Sequence, residues 1–153
     1  MEIRIATRED IGPLVEFNQS MALETEGKRL DAGTLGRGVS AVFDDDRKGF
    51  YVVAEEDGIV AAGLMVTTEW SDWRNGWFWW IQSVYVRPEH RGSGLYGKMY
   101  DFVKRRAEHA GNVCGFRLYV EKENERAQHV YEKLGMTRTY YLMYEEENEN
   151  RGT

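Results

Sequence analysis

The sequence predicts a mixed α/β domain in which one sheet combines antiparallel hairpins with a single parallel crossover. Three observations support this class. Apolar and polar residues alternate in short segments typical of strands, apolar residues recur at helical spacing between them, and Asp57-Gly58 is a strong signal for a tight hairpin. The predicted order is β-α-α-β-β-β-α-β-α-β. We expect one domain over residues 1–145, within the usual range of roughly 100–200 residues, and a frayed acidic tail over 146–153.

The first strand and helix are followed by an acidic break. Ile3 and Ile5 alternate with polar residues in the opening strand. Thr7 together with Asp10, or Asp10 alone, is expected to cap the helix that follows. The apolar face of that helix ends before Glu24–Lys28, which we predict to be a turn.

A weak second helix precedes three strands. The helix is predicted from Asp31 to Phe43, where three glycines lower its intrinsic stability. Strands are predicted over Phe50–Glu55, Ile59–Thr68 and Trp77–Val86. The segment between the last two strands is rich in Trp and polar residues, and we expect it to be a loop.

The second half of the chain predicts a parallel crossover. Apolar residues at helical spacing mark a helix over Ser93–Ala110, which joins the preceding strand to one that includes Phe116. Asn124 is expected to cap a further helix that stops at Gly135. Met136–Tyr144 is predicted to be the final strand.

Composition and charge exclude several classes of protein. No apolar run approaches the roughly 18 residues that a membrane span needs, and the N-terminus lacks the layout of a signal peptide. The 20 basic and 26 acidic residues give a net charge of −6, which argues against a nonspecific nucleic-acid binder. One cysteine fits a reducing compartment, and the scattered histidines lack metal-ligand spacing. We therefore expect a cytoplasmic protein with no metal, no nucleic-acid partner and no membrane attachment.

A glycine-rich loop, Arg91–Gly97, stands between a predicted strand and a predicted helix. Its three glycines allow positive φ and a close approach of the backbone to a ligand. Free N–H groups and the positive end of the helix dipole suit a phosphate or pyrophosphate, and Arg91 adds a charge that pairs with phosphate. The alternative is a glycine turn that only lets the helix pack closely on the sheet.

The same glycines also match the dinucleotide-binding fingerprint. Gly92, Gly94 and Gly97 satisfy G-x-G-x-x-G, and Glu121 supplies an acid in the following strand. However, five residues, 87–91, separate the strand from the first glycine, and a dinucleotide fold needs more than one crossover. The P-loop pattern is excluded because no Gly-Lys-Ser/Thr occurs. The context therefore disfavours both nucleotide-binding interpretations.

Two segments resemble the signatures of one family. Val84–Gly94 is similar to the acyl-coenzyme A signature of the GNAT N-acetyltransferases, which is Arg/Gln-x-x-Gly-x-Gly/Ala. Arg91 and Gly94 match that signature, whereas Tyr96 replaces its usual small residue. Asn124–Met136 resembles the family's Asn-x-x-Ala-x-x-x-Tyr-x-x-x-Gly-Phe segment. The predicted element order fits the family over nearly the whole chain.

The resemblance implies a GNAT-like central sheet whose two parallel strands splay apart, with acetyl-coenzyme A entering the gap as a co-substrate. Backbone groups of Val84 and Val86 would pair with the pantetheine arm, and the amides of Gly92–Lys98 would hold the pyrophosphate. Asn124 would contact the pantetheine, and Tyr131 would lie near the sulfur. The full cofactor set implied in this way is Val84, Tyr85, Val86, Arg91, Gly92, Ser93, Gly94, Leu95, Tyr96, Gly97, Lys98, Asn124, Ala127 and Tyr131.

The resemblance also implies that a neutral amine attacks the thioester directly, without an acyl-enzyme. A backbone N–H of the Trp77–Val86 strand would polarise the carbonyl, as in an oxyanion hole. Tyr131 is the candidate general acid for the departing thiolate. Helical periodicity alone favours a core tyrosine, because Ala127, Val130 and Leu134 share its face, and the motif match reverses that preference. The strand before the glycine loop contains no acid, and its Gln82 cannot act as a base. The candidate bases are therefore carboxylates acting through water: Glu24, Glu26, Glu69 and Asp72.

We therefore expect acetyl transfer to a primary amine, with a small cationic acceptor and a possible homodimer. The Glu24/Glu26 turn and the Glu69–Arg74 loop would form an electronegative entrance, because binding residues concentrate in connections. Trp70 and Trp73 would offer cation–π faces to the acceptor, beside Asp72 and Gln82. The alternative from another class is a non-catalytic acyl-coenzyme A-binding module, which the missing strand carboxylate favours.

Overall fold

The computed structural model describes residues 1–151, which divide into two compact units, Met1–Tyr119 and the residues from Val120 onward. Within the described residues, the first unit contains a five-stranded sheet with three α-helices, and the second contains one α-helix followed by an irregular segment. Every helix described is too short or too polar to span a membrane. The single domain proposed over residues 1–145 stays a prediction.

The sheet has the strand order β1-β2-β3-β4-β5. Its first four strands are antiparallel neighbours, whereas β4 and β5 are parallel and are joined by the crossover helix α3. The mixed α/β class predicted from the sequence is therefore confirmed. The elements of this unit are β1 (Glu2–Ile5), α1 (Ile11–Glu26), α2 (Ala32–Asp44), β2 (Phe50–Glu56), β3 (Ile59–Ser71), β4 (Gly76–Val86), α3 (Leu95–Ala110) and β5 (Val113–Leu118).

The predicted hairpin between β2 and β3 is confirmed at Asp57 and Gly58. Both residues have positive φ, +53° and +79°, which is the geometry that joins two strands through a two-residue turn. The next connection is shorter than predicted, because β3 continues through Ser71. Trp70 pairs with Trp77 across the two strands, and their rings meet edge to face at 4.9 Å between centroids. This cross-strand pair places Trp70 on a strand, so its assignment to a loop was wrong.

The first helix is longer than predicted. α1 continues through Glu24 and Glu26, so the turn predicted over Glu24–Lys28 was wrong. The helix ends only at Gly27, whose φ of +63° and N–H bond to the Leu23 carbonyl form a left-handed C-cap. Glu24 is therefore held rigidly in the last helical turn.

The helices α1 and α3 pack on the sheet of the first unit and bury its core. α1 contacts β3 and β4, and Leu14 and Phe17 of α1 pack against Gly63 of β3. A Cβ atom built on Gly63 would lie 3.0 Å from Leu14 and 3.3 Å from Phe17, so only glycine lets the helix pack this closely. α3 contacts β1, β2 and β5, and completely buries Met99 and Val103.

A buried carboxylate connects the start of α1 to the sheet. Asp10 is 3 % exposed and accepts two hydrogen bonds from the Arg4 guanidinium, at 2.7 and 3.0 Å, and one from the Thr7 N–H at 2.8 Å. Arg4 also binds Glu55 on β2. The bonds from Arg4 hold the pKa of Asp10 below its usual value. The capping box formed by Thr7 and Asp10 belongs to the short 3₁₀ helix Arg8–Asp10, whereas the Asp10 side chain makes no cap bond to α1 itself.

We expect Asp10→Asn to lower the free energy of unfolding by about 2 kcal/mol at pH 7, because it weakens a mostly buried charge pair. The folded-state pKa is lowered, so this contribution is present above the unfolded value of about 3.9 and is lost as the pH falls through the folded value. Urea unfolding of both proteins at pH 7 and pH 3 measures this. Asp44→Asn is the control, because its pair with Arg8 is exposed. Equal losses in the two variants would contradict the prediction.

The second unit begins with the helix α4, Glu125–Lys133. The predicted cap is confirmed, because the Asn124 side-chain oxygen accepts the Ala127 N–H at 3.1 Å. The predicted stop is confirmed as well: Gly135 has φ of +99°, and the next N–H bonds back to the Tyr131 carbonyl at 3.0 Å.

The predicted final strand, Met136–Tyr144, is not formed in the structure. Its residues have no regular secondary structure, and Tyr140–Tyr144 are all exposed. The composition strongly favours a strand, but a strand exists only where a neighbour satisfies its N–H and C=O groups. The sheet of the described residues ends at β5 instead.

Candidate functional site

β4 extends beyond the end of its parallel neighbour. The two strands pair from Trp77 opposite Val113 to Ile81 opposite Leu118. β4 then continues through Gln82–Val86, opposite no residue of β5. The edge of β4 is therefore open along this stretch, on the side where the parallel strand would otherwise lie.

A β-bulge lies at the start of the open stretch. The pairing with β3 changes from Gln82 opposite Met65 to Tyr85 opposite Gly63, so two residues of β4 face one residue of β3. Ser83, the first of these two, has φ of +52°. A bulge bends its strand and increases the local twist, which helps to direct β4 away from β5.

The backbone of the open stretch alternates in direction. Arg87 donates its N–H to a β3 carbonyl at 2.9 Å, so residues 85 and 87 direct their backbone groups toward β3. Val84 and Val86 direct theirs toward the open edge. There the Val86 carbonyl accepts a bond from Nε of Arg91 at 2.8 Å. The open edge thus presents backbone groups of Val84 and Val86, the two residues whose backbone is predicted to pair with the pantetheine arm.

The glycine loop follows β4 after the short 3₁₀ helix Pro88–His90 and delivers amides to the start of α3. Gly92 and Gly94 both have φ of +78°, and no atom lies within 4 Å of a Cβ built on either residue. The first helical bond runs from the Lys98 N–H to the Gly94 carbonyl at 3.3 Å. The amides of residues 95–97 therefore precede the helical ladder and suit an anion. Ser93 is turned back into the loop, where its Oγ donates to the His90 carbonyl at 2.6 Å.

Glu24 joins the last turn of α1 to this region. Its carboxylate accepts the Tyr85 hydroxyl at 2.6 Å and the Arg91 guanidinium at 2.8 Å. Arg91 also lies 5.2 Å from the centre of the Tyr85 ring. The bonds from Tyr85 and Arg91 lower the pKa of Glu24, whereas burial and the neighbouring carboxylate raise the pKa of Tyr85. The Tyr85 side chain is buried against Phe17. The contact with the cofactor predicted for this residue stays a prediction.

Glu69 anchors a second polar group on the sheet. Its Oε1 accepts bonds from Nε1 of Trp80 at 2.9 Å and from Nη1 of Arg117 at 3.1 Å. The Arg117 guanidinium also lies 3.6 Å from the centre of the Phe78 ring. Gln82 of β4 lies nearby, and its side-chain amide donates to Oγ1 of Thr67 on β3 at 2.5 Å. Polar, aromatic and charged groups thus cover this part of the sheet.

This polar group lies on the α1 side of the sheet. Side chains of alternate residues share a strand face, so Gly63, Met65, Thr67 and Glu69 of β3 face the same way. α1 covers this face at Gly63. Thr67 and Glu69 lie farther along the strand, and Glu69 is exposed. An uncovered surface therefore remains on this face, which we call the acceptor face; it consists of Thr67, Glu69, Trp80, Gln82 and Arg117.

Arg117 was not among the site residues predicted from the sequence. Its signal was present, because Phe116 and Leu118 alternate with it, and an arginine at that position must face the opposite side of the strand from them. Its position one residue before the end of the β4–β5 pairing became apparent only from the register, in which it lies opposite Trp80.

The other predicted acceptor residues lie at the exposed end of the β3–β4 hairpin or the end of α1. Trp73 is 91 % exposed in the turn between the strands, and Asp72 is exposed beside it. Trp70 is half-exposed against Trp77. Glu26 forms an exposed pair with Lys28 at 3.4 Å. In the structure Glu24 contacts Arg91 of the glycine loop, and Glu69 lies on the acceptor face. The four predicted acids therefore do not lie together in one contacting group.

The predicted site residues of the second unit lie on or beside α4. Tyr131 is partly buried, and burial raises the pKa of its phenol. Ala127 is also partly buried, whereas the Asn124 side-chain oxygen is engaged in the helix cap. The roles predicted for these three residues stay predictions. In the described residues, no group of three or more His, Cys, Asp or Glu side chains is arranged to hold a metal ion.

Comparisons with known proteins agree on one family. Residues 17–136 match the family described as Acetyltransferase (GNAT) family. The chain is 28 % identical over 147 residues to the L-amino acid N-acyltransferase MnaT of Escherichia coli strain K12, covering 91 % of this chain and 81 % of that protein.

Solved structures give the same result for the fold. A possible acetyltransferase from Clostridium difficile 630 is 47 % identical, with a TM-score of 0.88 over 96 % of this chain and 97 % of that one. A predicted acetyltransferase with acetyl-CoA from Clostridium acetobutylicum has a TM-score of 0.77 over 95 % of each chain. At 21 % identity, the second similarity concerns the fold alone.

Proposed function

Since the chain belongs to the acetyltransferase (GNAT) family, we propose that it transfers an acetyl group from acetyl-coenzyme A to the primary amine of a small acceptor. The observation that carries this proposal is the open stretch of β4, Gln82–Val86, which is followed by the short 3₁₀ helix Pro88–His90 and then by the glycine loop. One element thus offers backbone hydrogen bonds to an extended chain and helix amides to a phosphate. That combination matches the shape and charge of coenzyme A.

The chain's own groups would hold coenzyme A in two places. Backbone groups of Val84 and Val86 would bond the amides of the pantetheine arm, in the manner of an added strand. The amides of Gly92–Lys98 would bind the pyrophosphate at the positive end of α3. Arg91 stands beside these amides, held by Glu24 and by the Val86 carbonyl. Its position supports a role in orienting the loop as well as in balancing phosphate charge.

In the proposed reaction the neutral acceptor nitrogen attacks the thioester carbonyl carbon, the new carbon–nitrogen bond forms and the carbon–sulfur bond breaks. The departing thiolate takes one proton, and the proton that the nitrogen loses returns through water to the group that protonated the thiolate. Acetyl-coenzyme A supplies the activated acyl group when bound. A backbone N–H on the open edge of β4 polarises the carbonyl oxygen. Tyr131 donates the proton to the thiolate. A tyrosine phenol is protonated at neutral pH, and burial raises the pKa of Tyr131 further, so the proton is present to be donated although the phenol is a weaker acid than an exposed tyrosine.

The attacking amine must first lose a proton. Glu24 and Glu69 are the better-supported bases of the four predicted acids, because each is fixed in place by two hydrogen-bond donors. The Glu24 carboxylate is ionised at neutral pH and can accept a proton relayed by water, but its lowered pKa makes it a weaker base than an ordinary glutamate. Glu26 and Asp72 lie at exposed positions and are weaker candidates.

The acceptor face suits a small amine in its ammonium form. Glu69 provides a carboxylate, and Trp80 provides an aromatic surface beside it. A second acceptor class, an L-amino acid, is favoured by Arg117, whose guanidinium lies beside Glu69 and could bind a carboxylate. The E. coli relative named as an L-amino acid N-acyltransferase supports this second class. A purely cationic amine would use Glu69 alone, whereas an amino acid would use both groups.

A screen of amines for release of free coenzyme A tests the proposed function. The panel contains diamines, polyamines and the L-amino acids, and mass spectrometry identifies the acetylated product. We expect turnover with at least one of these classes. Binding of acetyl-coenzyme A without turnover on any amine would support a non-catalytic binding module instead.

We expect Glu69→Gln to raise the acceptor KM about tenfold, because one charge-assisted contact is lost. The affinity for acetyl-coenzyme A should stay unchanged. Steady-state kinetics with the best amine of the screen measures both quantities. Glu26→Gln is the matched control, since that carboxylate is exposed and pairs only weakly with Lys28. Arg117→Gln should raise KM only for an acceptor with a carboxylate, and silence of all three variants would place the acceptor elsewhere.

A further inference from the structure

The Arg91 side chain turns back onto the end of β4 instead of pointing into solvent. Its Nε donates to the Val86 carbonyl at 2.8 Å, and its Nη2 donates to the Glu24 carboxylate at 2.8 Å. The guanidinium also lies 5.2 Å from the centre of the Tyr85 ring. We call the two bonds from Arg91 to Val86 and to Glu24 the Arg91 latch. All of these residues belong to the first unit.

The latch occupies a backbone group on the open edge of β4. Arg87 directs its N–H toward β3, where the Ala61 carbonyl accepts it at 2.9 Å. The Val86 carbonyl belongs to the same peptide and therefore points the opposite way, toward the open edge. A pantetheine arm that adds along this edge would pair with the same carbonyl. The Arg91 side chain thus covers the end of the edge along which the arm would bind.

Glu24 keeps Arg91 in this position. The carboxylate lies in the last turn of α1 and also accepts the Tyr85 hydroxyl at 2.6 Å, so its own placement does not depend on Arg91. Both side chains of the Glu24–Arg91 pair are 41 % exposed, and exposed ion pairs contribute little net free energy. The pair is therefore strong enough to favour one position of Arg91 and weak enough for a charged ligand to displace.

We propose that the pyrophosphate of coenzyme A opens the Arg91 latch, so that Arg91 determines the specificity for coenzyme A over the pantetheine arm alone and Glu24 sets the cost of opening for both. The pyrophosphate offers Arg91 a stronger partner beside the loop amides, and the turn of Arg91 toward it uncovers the Val86 carbonyl. An arm without phosphate must break the latch and gives the guanidinium no new partner. This inference rests on the coenzyme A binding in the proposed function and not on acetyl transfer.

Two ligands compared on the same variants test the latch. Calorimetry measures the dissociation constant of coenzyme A, and a displacement titration measures that of pantetheine, the same thiol arm without its phosphates and nucleotide. Arg91→Gln removes both the latch and the partner of the pyrophosphate. We expect the dissociation constant of coenzyme A to rise about tenfold and that of pantetheine to fall about threefold, because the Val86 carbonyl is uncovered. Circular dichroism verifies that the variants keep their fold.

Glu24→Gln weakens the latch but leaves Arg91 available to the pyrophosphate. Both dissociation constants should fall by the same factor of about threefold, because either ligand then opens the latch at a lower cost. Glu89→Gln is the matched control. Glu89 is exposed in the short 3₁₀ helix two residues before Arg91, so its variant removes one negative charge near the loop and leaves both latch bonds in place. It should leave the constant of uncharged pantetheine unchanged.

Two results would overturn the latch and leave the proposed function standing. The first is a weaker affinity of Glu24→Gln for coenzyme A with an unchanged pantetheine constant, which would show that Glu24 only orients Arg91 toward the phosphate. The second is an unchanged pantetheine constant in Arg91→Gln. A native chain that binds neither ligand would instead overturn the proposed function, and the latch together with it.

Discussion

Gly94→Glu is expected to abolish the binding of acetyl-coenzyme A, raising its dissociation constant at least 100-fold, which corresponds to about 2.7 kcal/mol. Gly94 is the N-cap of α3 and has φ of +78°, and its Cβ direction is open. A carboxylate there would stand where the proposed pyrophosphate binds and would oppose its charge. Calorimetry measures the affinity, and the melting temperature with and without acetyl-coenzyme A measures the linked stabilisation.

Gly58→Glu separates the charge effect from backbone strain. Gly58 has φ of +79°, and no atom lies within 4 Å of its Cβ position, so the two glycines carry nearly the same conformational penalty. Both variants should lose about 1–2 kcal/mol of stability. Only Gly94→Glu should lose the acetyl-coenzyme A response. Equal affinity in the two variants would move the pyrophosphate away from the loop, and binding of NAD in place of coenzyme A would favour the dinucleotide interpretation.

Tyr131→Phe is expected to lower kcat about 100-fold while the affinity for acetyl-coenzyme A stays near normal. The substitution keeps the ring and its packing and removes only the proton that we assign to the departing thiolate. Burial raises the pKa of Tyr131, so the phenol should stay protonated across neutral pH and impose no loss of rate there. Steady-state rates from pH 6 to 9 measure both expectations.

Tyr100→Phe is the matched control for this experiment. Tyr100 lies on α3, is 6 % exposed, and also has a pKa raised by burial. Its variant should cost some stability without a comparable loss of kcat. An unchanged kcat in Tyr131→Phe, or an equal loss of kcat in both variants, would indicate that Tyr131 has only a structural role.

Features governed by local rules could be predicted from the sequence. The hairpin at Asp57-Gly58, the cap at Asn124 and the stop at Gly135 each depend on a few neighbouring residues, and the structure confirms all three. The glycine loop before α3 has the positive φ values expected of it. The crossover and the mixed sheet followed from the order of such elements. Family membership then added the expected gap between the parallel strands.

Features that depend on distant partners were harder to predict. Trp70 belongs to a strand because Trp77 pairs with it, and Glu24 gains its position from Tyr85 and Arg91, 61 and 67 residues away in the chain. Arg117 joined the candidate site only through its register opposite β4. The strand predicted after α4 was wrong for the converse reason. Its residues favour a strand, but strand-forming residues alone do not supply a neighbouring strand with which to pair.

The bulge at Ser83 has an energetic consequence for ligand binding. A non-glycine residue in the left-handed region costs roughly 1–3 kcal/mol, and the folded protein already bears this cost before any ligand arrives. The cleft between the parallel strands is therefore preorganised: coenzyme A would not have to separate two paired strands in order to enter. The strain at Ser83 thus lowers the stability of the free protein. Because the strands are already apart, the binding of coenzyme A would not require the additional free energy of separating them.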